Sequence, residues 1–133
     1  MIITDLTTID RLAEEACGYN PIYSFDLADY ANLKQASDYI KAAKLETPSL
    51  SKECSDKLSQ LIQEMGTDNM KEIIFHITCN GSYSDDVTTK GIIELLVQIH
   101  NINPNACLMN SVSSKDSDES GYAILLLVGY TQK

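Results

Sequence analysis

Glu72-Ile-Ile-Phe-His-Ile-Thr-Cys79 decides how this chain folds. Ile73, Phe75 and Ile77 fall on one side of an extended backbone, and Ile74, His76 and Thr78 fall on the other. Period-two alternation in β-branched and aromatic residues predicts a strand. Asn80-Gly81-Ser82 ends it, because glycine tolerates the positive φ of a tight turn. A helix is predicted from there to about residue 102, with Ser84 or Asp85 as its N-cap and Asp85 and Asp86 at the positive end of its dipole. Val87, Ile92, Ile93, Leu95, Leu96, Val97 and Ile99 cover more than half its circumference, so more than one side is buried. Pro104 stops it.

Two more strands follow. In 106–112, Ala106, Leu108 and Val112 share a face opposite Cys107 and Met109. In 121–131, the run Tyr122-Ala-Ile-Leu-Leu-Leu-Val128 is apolar on both faces, as suits a central strand covered on each side. The expected unit is β-α-β-β. Its last two strands form an antiparallel hairpin joined by the polar loop 113–120.

Outward from this nucleus, residues 1–6 offer a short edge strand. Thr7 then caps a helix bearing Ile9, Leu12, Ala13 and Ala16, with Asp10 completing a weak capping box and Gly18 ending it. Residues 19–24 read as a turn; their Asn20-Pro21-Ile22-Tyr23 is a chance match to a short peptide signature. A long helix is expected over 26–45, from Leu27, Tyr30, Ala31, Ala36, Ile40 and Ala43 near a 3.6 period. Thr47-Pro48-Ser49 breaks it. The cleanest helical pattern is 51–65, with Cys54, Leu58, Leu61, Ile62 and Met65, closed by Gly66. No composition shift marks a linker near residue 68. The expectation is one α+β domain over 1–133: a mainly helical half, 1–68, packs three N-terminal helices on a small mixed sheet of three or four strands from 69–133.

The chain has 133 residues, enough to bury roughly two-thirds of its unfolded surface without staples. Its net charge is −9, and Arg11 is the one arginine. Affinity for nucleic acid comes from neutralised phosphates, so direct binding to DNA or RNA is not expected, nor is an anionic membrane surface. No run reaches the ~18 apolar residues of a membrane span, and the N-terminus lacks a basic leader. The cytoplasm is the expected compartment, with Cys17, Cys54, Cys79 and Cys107 reduced.

No motif for catalysis, metal or cofactor emerges. Two histidines and four scattered cysteines give no ligand spacing. The Asp116-Ser-Asp118-Glu119 run lacks the alternation and central glycine of a calcium loop. His76-Ile-Thr78 has no second copy at His100, which excludes a paired-histidine phosphoesterase. Two function classes remain. The first is a non-enzymatic acidic protein that binds a partner with a basic surface. An inhibitor of a nucleic-acid-handling machine would have this composition, as mobile elements and phages carry against host defence, CRISPR and restriction systems included. Its contact residues would be Asp116, Asp118, Glu119, Asp85, Asp86, Asp26, Asp29, Tyr23 and Tyr30, since acid steers association and tyrosine anchors it. The second is a small enzyme or ligand-binding domain with a cleft at the end of strand 72–79, lined by Cys79, Ser82 and Ser84. A homodimer through an exposed sheet edge is a third arrangement.

Overall fold

The strand at the heart of the computed structural model, β4 (Met70–Asn80), lies between β5 and β6. The structure describes residues 1–18, 20–23, 26–80, 86–115 and 121–132, without the side chains of 20–23 and 86–88. The elements run β1 (Ile2–Ile3), α1 (Leu6–Cys17), β2 (Asn20–Tyr23), α2 (Leu27–Ala36), β3 (Tyr39–Thr47), α3 (Lys52–Met65), β4, α4 (Asp86–Ile102), β5 (Cys107–Lys115) and β6 (Gly121–Tyr130). The class is α+β, with a six-stranded mixed sheet in the order β1-β3-β6-β4-β5-β2. Both halves of the chain contribute strands to it.

β4 and β5 are parallel, joined through α4 as expected. The hairpin between β5 and β6 does not form. β6 inserts antiparallel on the other side of β4 and pairs there from Gly121 to Tyr130. The reason lies in its composition: Ile124, Leu126, Val128 and Tyr130 face one core and Leu125 and Leu127 the other, all buried. Only a strand with neighbours on both edges and helices on both faces removes that surface from water. β5 exposes Cys107, Met109 and Asn110, which a strand nearer the edge tolerates. Residues 116–120 lie outside the described residues.

The predicted long helix over 26–45 is two elements. α2 ends at Ala36, where the Ser37 hydroxyl donates to Leu33 O at 2.6 Å and Asp38 N turns to Tyr130 O at 2.8 Å. β3 then pairs with β6 over nine positions, Tyr39↔Tyr130 to Thr47↔Tyr122. Lys41-Ala-Ala-Lys-Leu-Glu46 has strong helical propensity, but propensity is worth only tenths of a kcal/mol per residue. β6 without β3 would leave a buried edge of unpaired backbone, which costs far more. Ile40 and Ala42 join one core, and Ala43 and Leu45 the other. The segment 19–24, read as a turn, likewise contains an edge strand, β2, antiparallel to β5.

The first helix is capped by Asp5 rather than Thr7. Its carboxylate accepts from Thr8 N at 3.0 Å and from the Thr8 hydroxyl at 2.6 Å, which holds its own pKa below the usual carboxylate value. Residues 1–6 supply the expected edge strand, with Ile2 opposite Ala43. α2 has a full capping box between Asp26 and Asp29.

Two helices cover each face. α3 and α4 bury Cys54, Leu58, Ile62, Met65, Ile92, Leu95 and Ile99 on the face of Phe75, Ile77 and Leu126. Each fully buried aliphatic side chain there contributes about 1.5–3 kcal/mol. Gln98 ties the pair, donating to Ser55 O at 2.8 Å and bonding the hydroxyls of Ser55 and Ser59. At the foot of the same face, the Tyr130 hydroxyl donates to Gly66 O at 2.9 Å, and Tyr39 stacks on its ring. α1 and α2 cover the other face, burying Ile9, Ala13, Ala16, Tyr30 and Leu33 against Ala42, Ile74, Leu125 and Leu127. Among the described residues no helix is long and apolar enough to cross a membrane.

Candidate functional site

The α1–α2 cover stops short of one end of the sheet, and a hollow of about 490 Å³ opens there. Its floor follows from the strand register. Lys44, Leu125, His76 and Ser111 form one cross-strand row; Glu46, Ala123, Thr78 and Ser113 form the next; Gly121, Asn80 and Lys115 form a third. Alternation puts these side chains on one face of the sheet. Ala123 leaves room where a larger side chain would fill it. Leu12, Glu15 and Ala16 of α1 make the wall.

Beside the hollow lies a buried polar cluster. His76 Nδ1 is 2.7 Å from Ser111 Oγ, and its Nε2 is 3.1 Å from Thr78 Oγ1 and 3.2 Å from Ser113 Oγ. Thr78 and Ser113 are themselves 3.3 Å apart. His76 is 2% exposed, and burial pushes its pKa down to about 4, so the ring is neutral at physiological pH. Hydroxyls can donate or accept, so both ring nitrogens are satisfied in either neutral tautomer. The cluster bonds β4 to β5 through their side chains.

Cys79, expected to line a cleft, does not line this hollow. Cys79 is 3% exposed and packs in the core under α3 and α4, while His76 points the other way. Strand alternation separates them, so no thiol–imidazole pair forms. Ser82 and Ser84 lie outside the described residues. Among the described residues, no group of three His, Cys, Asp or Glu side chains is placed to hold a metal, and all four cysteines are free thiols.

The expected contact residues divide similarly. Asp116, Asp118, Glu119 and Asp85 lie outside the described residues, as do the side chains of Asp86 and Tyr23. Tyr30 is no surface anchor: it is 4% exposed, and its hydroxyl donates to Asp10 at 2.6 Å. That bond, with Lys34 at 3.1 Å, holds the Asp10 pKa down. Burial and the same carboxylate push the Tyr30 pKa up. Asp26 is exposed and Asp29 half-buried at the start of α2, where each caps the other's backbone. Both acids, after burial itself, raise the pKa of Cys17 across from them on α1. This places the start of α2 beside the end of α1, and the Asp10–Lys34 contact makes the two helices antiparallel.

Sequence reading missed Lys44, Glu46, Asn80, Ser111 and Ser113 as one group. The available signal was polar residues at alternate positions, 76, 78 and 80 and again 111 and 113, in strands otherwise meant for a core.

No protein-family profile matches the chain, and no curated protein is significantly similar in sequence. The fold is found within FtsZ. An FtsZ structure from M. jannaschii, described as an empty dimer, is 14% identical and superposes with a TM-score of 0.61 over 94% of this chain and 40% of that one. A point mutant of the same protein gives 15% identity and a TM-score of 0.64 over 96% and 42%. The chain thus spans about two-fifths of the FtsZ chains it matches. At such identity the likeness establishes the fold alone.

Proposed function

We propose that the protein acts by binding another protein and not by turning over a substrate, with the outer surface of α1 and α2 as its contact face. One observation carries this reading. With their caps, α1 and α2 hold six carboxylates, Asp5, Asp10, Glu14, Glu15, Asp26 and Asp29, against two cations, Arg11 and Lys34. Lys34 is already paired with Asp10. Inside the helices the excess of acid is two on either side, since α3 and α4 hold five carboxylates against three lysines. The N-caps Asp5 and Asp26 double it on this layer, where Leu6 and Leu27 are also exposed. Such a face attracts a basic surface and speeds encounter. A nucleic-acid-handling machine of a host defence system is the partner class this charge suits, with the protein as its inhibitor.

The test is association with a partner retained from the native host, followed at low and high salt. The triple variant Asp5→Asn, Glu14→Gln, Asp26→Asn removes three charges while asparagine keeps both helix caps. Association is expected to fall steeply with salt and to slow in the variant. Salt-independent binding, or an unchanged rate in the variant, removes the reading. A second copy of the same fold is the other partner to examine, because one of the FtsZ structures is described as a dimer. A concentration-dependent mass in solution would favour it.

A further inference from the structure

Whatever binds the helical face, the hollow at the end of β4 has a chemistry of its own. Its lining holds two lysines, Lys44 and Lys115, and two glutamates, Glu15 and Glu46, in a protein whose net charge is −9. His76 adds no charge to it at physiological pH. The lining is therefore electrically balanced where the rest of the molecule is not. Between the charges lies an uncharged floor of Ala123 and Leu125, with Leu12 and Ala16 above it.

The two signs are also placed at a definite spacing. Lys44 and Glu46 are neighbours on the same face of β3, roughly 7 Å apart along the strand. Among the described residues the Lys44 ammonium has no hydrogen-bond or ion-pair partner, Glu46 included, and the Asn80 amide has none either. Lys115, at the far end of the floor, has other contacts, which leaves Lys44 as the cation for an incoming anion. Two residues of extended peptide also span roughly 7 Å between their charged ends. A hollow of about 490 Å³ lies within the common range for small-molecule sites.

We propose that this hollow binds a zwitterion of dipeptide size, its carboxylate on Lys44, its ammonium on Glu46 and Glu15, and its apolar body on Ala123 and Leu125. This goes beyond partner binding and stands apart from it.

The experiment uses three forms of one probe: alanyl-phenylalanine as the free zwitterion, its N-acetyl form and its C-terminal amide. Each is titrated into the isotope-labelled full chain, and amide shifts are read by NMR. The zwitterion is expected to give saturable shifts at Lys44, Thr78, Asn80 and Ala123, and each capped form to bind at least tenfold more weakly. Lys44→Met keeps the stem and removes the ammonium, so in that variant the zwitterion should bind no better than the amide. Glu46→Gln should likewise bring it down to the N-acetyl form. Equal binding by the N-acetyl form would mean a plain anion site, and equal binding by the amide a plain cation site. Either result overturns the proposal. So does the absence of saturable shifts at these amides with probe on the order of 10 mM, or the same affinity in both variants.

Discussion

Lowering the pH should unfold this protein through one buried ring. His76 titrates near 6.5 in an unfolded chain but at about 4 in the fold, because burial disfavours its charged form. Below pH 6.5 the unfolded state therefore binds a proton that the native state refuses, and stability falls with pH. The sign is that of a depressed pKa: full stability above 6.5, progressive loss down to about 4, and no further loss from this group below that. The linkage gives about 2 kcal/mol at pH 5 and roughly 3 kcal/mol at pH 4. Asp5 and Asp10, whose pKa values are held below 3.8, contribute their own loss only at lower pH, so the window from 6.5 to 4.5 belongs to His76. Urea denaturation followed by circular dichroism at pH 7, 6 and 5 measures the effect. With a slope of about 2 kcal/mol per molar urea, the midpoint should move down by about 1 M between pH 7 and 5. The His76→Gln variant starts less stable, since it disturbs the hydroxyl cluster, but should lose little over the same interval. Parallel pH dependence in the two proteins would refute the reasoning, because the titrating group would then lie elsewhere.

Two further outcomes are expected. Gly129 lies where α2 crosses β6: a Cβ there would sit 3.0 Å from Ser37 Cβ, 3.4 Å from Leu33 Cδ2 and closer still to Ser37 Oγ. Gly129→Ala should cost about 1–3 kcal/mol by overpacking, with part recovered by a second change, Ser37→Ala; a thermal melt unchanged by Gly129→Ala would mean that the crossing is looser. With a thiol reagent at neutral pH, exposed Cys107 should react at once and half-buried Cys17 slowly, its pKa raised by burial and by Asp26 and Asp29. Buried Cys54 and Cys79 should react only on unfolding. Rapid native labelling of Cys79 would contradict its place in the core.

Much of the architecture was legible from residue patterns, and the exceptions share a cause. The strand 72–79 and the helices after it and at 51–65 were carried by local periodicity, and the edge strand near the N-terminus by a short apolar start. The alternation of 72–79 also assigned Ile73, Phe75 and Ile77 to one face and His76 and Thr78 to the other, as found. The segment 39–47 was misread because Lys41-Ala-Ala-Lys-Leu-Glu46 satisfies a helical period as well as a strand's. No property of those residues reveals that β6 needs a neighbour. The site was less legible still. Lys44 and Asn80 are 36 positions apart, and only the register of β3, β6 and β4 brings them to one floor.

What the amino-acid order determined alone was the local periodicity, the caps available to the helices, the surplus of negative charge, and the fact that 122–128 must be covered on both faces. The tertiary structure decided which strand stands beside which. It placed β6 between β3 and β4 instead of beside β5, turned half a predicted helix into a strand, and opened a hollow on the imidazole's face of the sheet, away from Cys79. Local propensities differ by tenths of a kcal/mol per residue, whereas an unpaired buried strand edge or an uncovered apolar face costs several. Where the two conflict, pairing and burial win, and they depend on residues far away in the chain.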